Sequence, residues 1–144
     1  MKVVIGIGNP GQRDDGIGPA LAGRLTRIGL PGVDVRVLDG EPDSLLDAWA
    51  GARLAIVVDA ILHQPARPGQ IHRNIISAQT AAATAHGRGV PEAIELGRAR
   101  ERMPDRLIVY AVEAANVSDG TDLSPAVAAA LPELLDAVLT DLGS

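Results

Sequence analysis

The chain has 144 residues, a formal charge of −5 and a hydrophobic fraction of 47% drawn from Ala, Val, Leu and Ile, with no Phe, one Trp and one Tyr. This length fits a single domain over residues 1–144, able to bury about 70% of its unfolded surface. The composition argues against a nucleic-acid partner, because base-stacking aromatics are missing and the arginines are interspersed with acids, and the absence of cysteine leaves His, Asp and Glu as the strong side-chain ligands for a metal.

The chain opens with a strand over Lys2–Gly8 and a glycine-rich turn, Gly6-Ile7-Gly8-Asn9-Pro10-Gly11, followed by Asp14-Asp15-Gly16-Ile17-Gly18. A helix from about Asp15 to Ile28, with Ile17, Leu21, Leu25 and Ile28 on one face, stops at Gly29 and Pro31. A strand over Val33–Asp39 and a helix over about Pro42–Ala50 come next. Leu54–Val58 is an unbroken aliphatic run, as a strand covered on both faces requires, and is placed at the centre of the sheet. This stretch, continued to Leu62, is too short to cross a bilayer and contains Asp59. The N-terminus also lacks the apolar region of a signal peptide, so a cytoplasmic protein with no membrane attachment is expected.

Gln70–Ile76 reads as a short strand, followed by the glycine-rich Ala85-His86-Gly87-Arg88-Gly89. Pro91 suits the first turn of a helix running to about Arg100, and Arg106–Val112 is a second buried strand. The last helix has Ser124 as N-cap and Pro125 at its first position, and runs to about Leu142 with a kink near Pro132. Alternation of this kind implies an α/β three-layer sandwich: a twisted, mostly parallel sheet of about five strands with helices on both faces, and ligands at the carboxyl edge of the strands.

Three polar residues are expected on that edge: Asp15 after the first strand, Asp59 after the third, and His86 in the later glycine-rich loop. Two carboxylates and an imidazole suit a borderline divalent ion such as zinc or nickel and leave positions open for water or substrate. Taken singly, each has a plainer explanation. Asp14 and Asp15 both lie where a helix cap belongs, and Asp14 is assigned that role; His63 and His72 compete with His86. Asp59 is the exception, because an ionised acid closing a buried strand costs free energy unless it is paired or coordinated. Asn9 and Asp39 receive supporting roles, each being a natural turn residue. Gly6, Gly8 and Gly11 also satisfy the dinucleotide-binding pattern, yet Asp14 and Asp15 set negative charge near the pyrophosphate position, and the chain is too short for a separate substrate domain.

With these residues in hand, the chain resembles the maturation endopeptidases of nickel-iron hydrogenases, peptidase family A31. The resemblance rests on Gly6-Ile7-Gly8-Asn9 with Asp14-Asp15-Gly16-Ile17-Gly18, on Leu38-Asp39-Gly40, on Val58-Asp59-Ala60-Ile61 with Pro68-Gly69 downstream, on His86, and on Leu123-Ser124-Pro125. It implies that Asp15, Asp59 and His86 form the metal-binding triad. The metal it implies is nickel carried by the partner, the hydrogenase large-subunit precursor, from which a C-terminal extension is cut; zinc or cadmium would fit the same donors. Glu113 lies near the position of a common family glutamate. The opening turn is also similar to that of bacterial peptidyl-tRNA hydrolases, where Asn9 would be catalytic, but the histidine of that family is missing between Asp14 and Pro19 and the chain is acidic. A non-catalytic docking factor that senses nickel in a client is the alternative from outside the enzymes.

Overall fold

Strands β1 (Lys2–Ile7), β2 (Val33–Leu38), β3 (Leu54–Ile61), β4 (Ile71–Ile76) and β5 (Arg106–Glu113) form one sheet in the order β2-β1-β3-β5-β4 in the computed structural model, which describes residues 1–76 and 89–143. All neighbours are parallel except β4, which runs antiparallel to β5 along one edge. The aliphatic run of β3 does occupy the centre.

Period-two alternation sends the side chains of each strand to opposite faces, and a helix pair covers each face. Helices α1 (Ile17–Ile28) and α4 (Pro125–Leu142) contribute Leu21, Leu25, Val127 and Leu134 to a core with Val4, Ile56, Val58, Ile108 and Val112. Helices α2 (Pro42–Trp49) and α3 (Val90–Ala99) contribute Leu45, Trp49, Ala93 and Ile94 to a second core with Val3, Ile5, Ala55, Val57 and Val109. At the antiparallel edge, Arg73 of β4 and the Tyr110 hydroxyl both donate to Asp141 of α4, which fastens the edge strand to a helix. Burial, followed by the Asp141 hydrogen bond, pushes the Tyr110 hydroxyl up to about 12.

The structure revises several boundaries. Asp15 does not open α1: Arg13–Gly16 form a single 3₁₀ turn, and α1 begins at Ile17. Asp59 does not follow β3 but lies within it, paired with Ala111, because β5 continues alongside as far as Glu113 opposite Ile61. Helix α4 continues through Pro132. Ser124 holds the N-cap position, but its side chain makes no capping hydrogen bond. Among the described residues no helix is long and apolar enough to cross a membrane.

Candidate active site

The order β2-β1-β3 creates a switch point at β1, from which the chain leaves toward β2 on one side while β3 pairs on the other. Crevices in open α/β sheets lie at such points, beyond the carboxyl ends of the strands. A cleft of about 580 Å³ sits there, lined by Asp15, Asp39 and Asp59 together with Gly8, Gly40, Gly89, Leu62 and Val117. One acid comes from the turn after β1, one from the end of β2 and one from β3, so three adjacent strands each deliver a carboxylate to one opening.

Two close approaches shape the turn that presents Asp15. Gly8 has φ +141°, a region that side-chain-bearing residues rarely enter, and a Cβ there would lie 1.8 Å from the Asp15 carbonyl oxygen. The Asn9 N–H then donates to Asp15 Oδ2 at 2.8 Å, while Asn9 Oδ1 accepts the Gly11 N–H at 2.8 Å and closes the turn. Asn9 therefore supports Asp15 through its backbone. Asp39 Oδ1 accepts the Glu41 N–H at 3.1 Å, a turn bond leading into α2, while its side chain also lines the cleft. A Cβ on Gly89 would lie 1.7 Å from the Gly40 carbonyl oxygen, so the segment entering α3 runs directly against the chain leaving β2.

Asp59 is 5% exposed, and its Oδ1 accepts the N–H of Ala60 at 2.9 Å. Its carboxyl is raised from 3.8 to about 7, first by burial and further by the negative charge of Asp15, with the Ala60 hydrogen bond opposing both. A carboxylate so placed favours either a proton or a cation. Asp15→Asn is expected to move the Asp59 titration downward from about 7 while leaving it above 3.8, since burial remains. Carbon-13 titration of the side-chain carboxyl checks this, and an unchanged midpoint would show that Asp15 exerts no charge effect on Asp59.

Asp14 overturns its assignment as a helix cap. It caps neither the 3₁₀ turn nor α1, and its carboxylate turns away from the cleft to meet backbone N–H groups at Ala115, Asn116 and Ser124. His86 lies outside the described residues. His63 and His72, its competitors, gather elsewhere, around the buried Glu113. His72 Nε2 is 2.7 Å from Glu113 Oε2, His63 Nδ1 is 4.0 Å from Oε1, and the Arg67 N–H donates to Oε1 at 2.8 Å. The His72 hydrogen bond, then that of Arg67, holds the Glu113 carboxyl below its ordinary value. The structure thus gives Glu113 the task of fastening the β3–β4 connection to β5. Among the described residues, no cluster of three ligating side chains could hold a metal ion. A metal ion held by Asp15 and Asp59 would need at least one further ligand from outside the described residues.

Gly6 and Gly8 of the opening turn allow close backbone packing. A Cβ on Gly6 would lie 2.3 Å from the Gly18 carbonyl oxygen, which brings α1 against β1.

A family model described as hydrogenase maturation protease matches residues 19–141, a span that contains Asp59 and His86 and begins just past Asp15. The hydrogenase maturating endopeptidase HybD from E. coli superposes with a TM-score of 0.81 at 25% identity, covering 98% of this chain and 91% of its own. An endopeptidase from Escherichia coli solved in solution gives 0.85 at 24% identity, covering 99% and 92%. The [NiFe] hydrogenase maturation protease HybD from Thermococcus kodakarensis gives 0.75 at 21% identity, covering 96% and 97%. The last two, at their level of identity, attest the fold. No curated protein matches the chain.

Proposed function

Since the chain belongs to the hydrogenase maturation protease family, we propose that it is a metal-dependent endopeptidase that removes a C-terminal extension from the nickel-loaded large-subunit precursor of a nickel-iron hydrogenase. The observation that carries this reading is the pair Asp15 and Asp59 on one cleft, with the Asp59 carboxyl raised to about 7 chiefly by its burial and further by the charge of Asp15. Such a pair is relieved by a divalent ion, and oxygen donors accept nickel or zinc when a nitrogen ligand joins them. His86 is assigned as that ligand. In support, Gly89 lines the cleft three residues further on, and three Cα–Cα steps of about 3.8 Å reach about 11 Å. His72 pairs with Glu113 instead, and His63 Nδ1 lies 3.1 Å from the Pro65 carbonyl oxygen.

In this scheme nickel arrives with the client, and Asp15, Asp59 and His86 complete its coordination. The ion supplies Lewis acidity toward the scissile carbonyl. The turn through Gly8 and Asn9 fixes Asp15, the body of β3 fixes Asp59, and Leu62 and Val117 give the peptide an apolar wall. In this scheme the attack is made by water, and no protein nucleophile is required. The proposal places this work in the cytoplasm.

A second mechanism is favoured by one observation. A carboxyl near 7 beside a second carboxyl is also how two acids share a proton, one donating to the scissile group while the other takes a proton from water. One experiment separates the readings. Incubated with nickel-loaded and nickel-free precursor, the protein is expected to shorten only the loaded form, read as loss of a C-terminal peptide by mass. Cleavage of both forms in the presence of a chelator would favour the carboxyl pair; an unchanged mass for both would make the protein a docking factor and overturn the proposal.

A further inference from the structure

The two motifs Asp14-Asp15-Gly16 and Leu123-Ser124-Pro125, at opposite ends of the sequence, meet at one buried carboxylate. Asp14 is 0% exposed. Its Oδ1 accepts the Ser124 N–H at 2.7 Å, and its Oδ2 accepts the Ala115 N–H at 2.8 Å, the Asn116 N–H at 3.0 Å and the Ser124 hydroxyl at 2.9 Å. Its own N–H donates to the Asn116 carbonyl at 3.0 Å. On either side the Arg13 N–H donates to the Gly120 carbonyl at 2.9 Å, and the Gly120 N–H to that of Gly11 at 3.0 Å. The turn over residues 9–16 and the segment over 114–124 therefore form a single unit.

Backbone pairing alone would join two loops. Burying an acid to do so is costly unless every lone pair is used, and here four donors converge on it. Successive residues of the turn then have opposite duties. Asp14 faces inward to gather the 114–124 segment, and Asp15 faces the cleft, where Val117 from that same segment forms part of the wall.

We propose that Asp14 is a positioning residue that locks the turn carrying Asp15 to the segment carrying Val117, fixing the ion-holding carboxylate against the wall that receives the client peptide. This rests on the role given above to Asp15 and Asp59. Partners one step removed from a ligand typically matter by about 10- to 100-fold in metal affinity or activity. Asp14→Asn replaces an acceptor facing four donors with a group that carries N–H donors of its own, and is expected to lower kcat on nickel-loaded precursor by about 10- to 100-fold with KM within about twofold. Ser124→Ala keeps three of the four donors and is expected to fold and to lower kcat by about three- to tenfold.

Calorimetric titration of Ni²⁺ alone into each folded protein gives a readout apart from cleavage and is expected to show the same ranking. A folded Asp14→Asn with parental kcat and parental Ni²⁺ affinity, whatever its melting temperature, would reduce Asp14 to a structural staple and overturn the proposal. If Asp14→Asn fails to fold, Ser124→Ala decides, and parental values for it overturn the proposal equally. A parent protein that binds Ni²⁺ but cleaves nothing removes the protease reading while the titration still tests Asp14; a parent that does neither removes both.

Discussion

Asp59→Asn is expected to fold, to lose roughly 10³-fold or more of its activity on precursor, and to be more stable than the parent above pH 7. The stability half follows from burial. The Asp59 carboxyl rises from 3.8 to about 7 on folding, so between these values the folded state binds more protons than the unfolded one. Its contribution therefore favours the fold at low pH, declines as pH rises through that window, and is a standing penalty above about 7. The interval corresponds to on the order of 4 kcal/mol at pH 8, an upper figure, since the buried site relaxes and admits water. Asparagine carries no such penalty, and thermal melts at pH 4 and pH 8 should show the gain at pH 8 alone.

A bound divalent ion is expected to work against that penalty. By mass action Ni²⁺ stabilises whichever protein binds it, by about 2.7 kcal/mol at a concentration of 100 Kd. Ni²⁺ is thus expected to raise the melting temperature of the parent at pH 8 and to leave Asp59→Asn unmoved. A variant that melts below the parent at pH 8 in metal-free buffer would refute the burial argument, and one that still processes precursor would refute the ligand assignment.

What the sequence disclosed of this site follows the range of the interactions. The five strands and four helices are legible because the apolar runs Val3-Val4-Ile5, Leu54–Val58 and Leu107–Val112 alternate with amphipathic stretches, with Gly or Pro in many of the connections, and those signals act locally. The central place of β3 is legible from its lack of polar alternation. That Asp15 and Asp59 share a cleft depends on β1 and β3 being neighbours, which the alternation of elements suggests and strand pairing alone decides. Asp59 reads as the residue after a strand because acids commonly close strands; it lies inside one because β5 continues to pair beyond it.

Asp14 and Ser124 show the opposite limit. Each satisfies the local pattern of a helix cap, yet the two bond to each other across 110 positions, a partnership no window along the chain contains. His63 and His72 compete with His86 by residue type until the structure places both beside Glu113. His86 itself stands as an expectation, since it lies outside the described residues.

Two glycines of α1 should respond to the same substitution with opposite signs. Gly23 is exposed, with nothing within 4 Å of a Cβ built on it, so Gly23→Ala is expected to stabilise the protein by roughly 0.5–1 kcal/mol through the unfolded chain and helix propensity. A Cβ on Gly18 would lie 2.6 Å from both the nitrogen and the oxygen of Ile7 and 2.7 Å from the oxygen of Val58. All three are backbone atoms of the two strands that meet beneath the cleft, and no rotamer change relieves the overlap. Gly18→Ala must therefore push the first turn of α1 off the sheet, at about 3 kcal/mol or more, a large share of the 5–15 kcal/mol typical of a domain. Ile7 leads into the turn that carries Asp15 and Val58 precedes Asp59, so the same displacement pulls the two carboxylates out of register and activity should fall with stability. Urea denaturation of both variants beside the parent measures the pair. A Gly18→Ala protein within about 0.5 kcal/mol of the parent would mean that the helix is not seated against β1 and β3 as described.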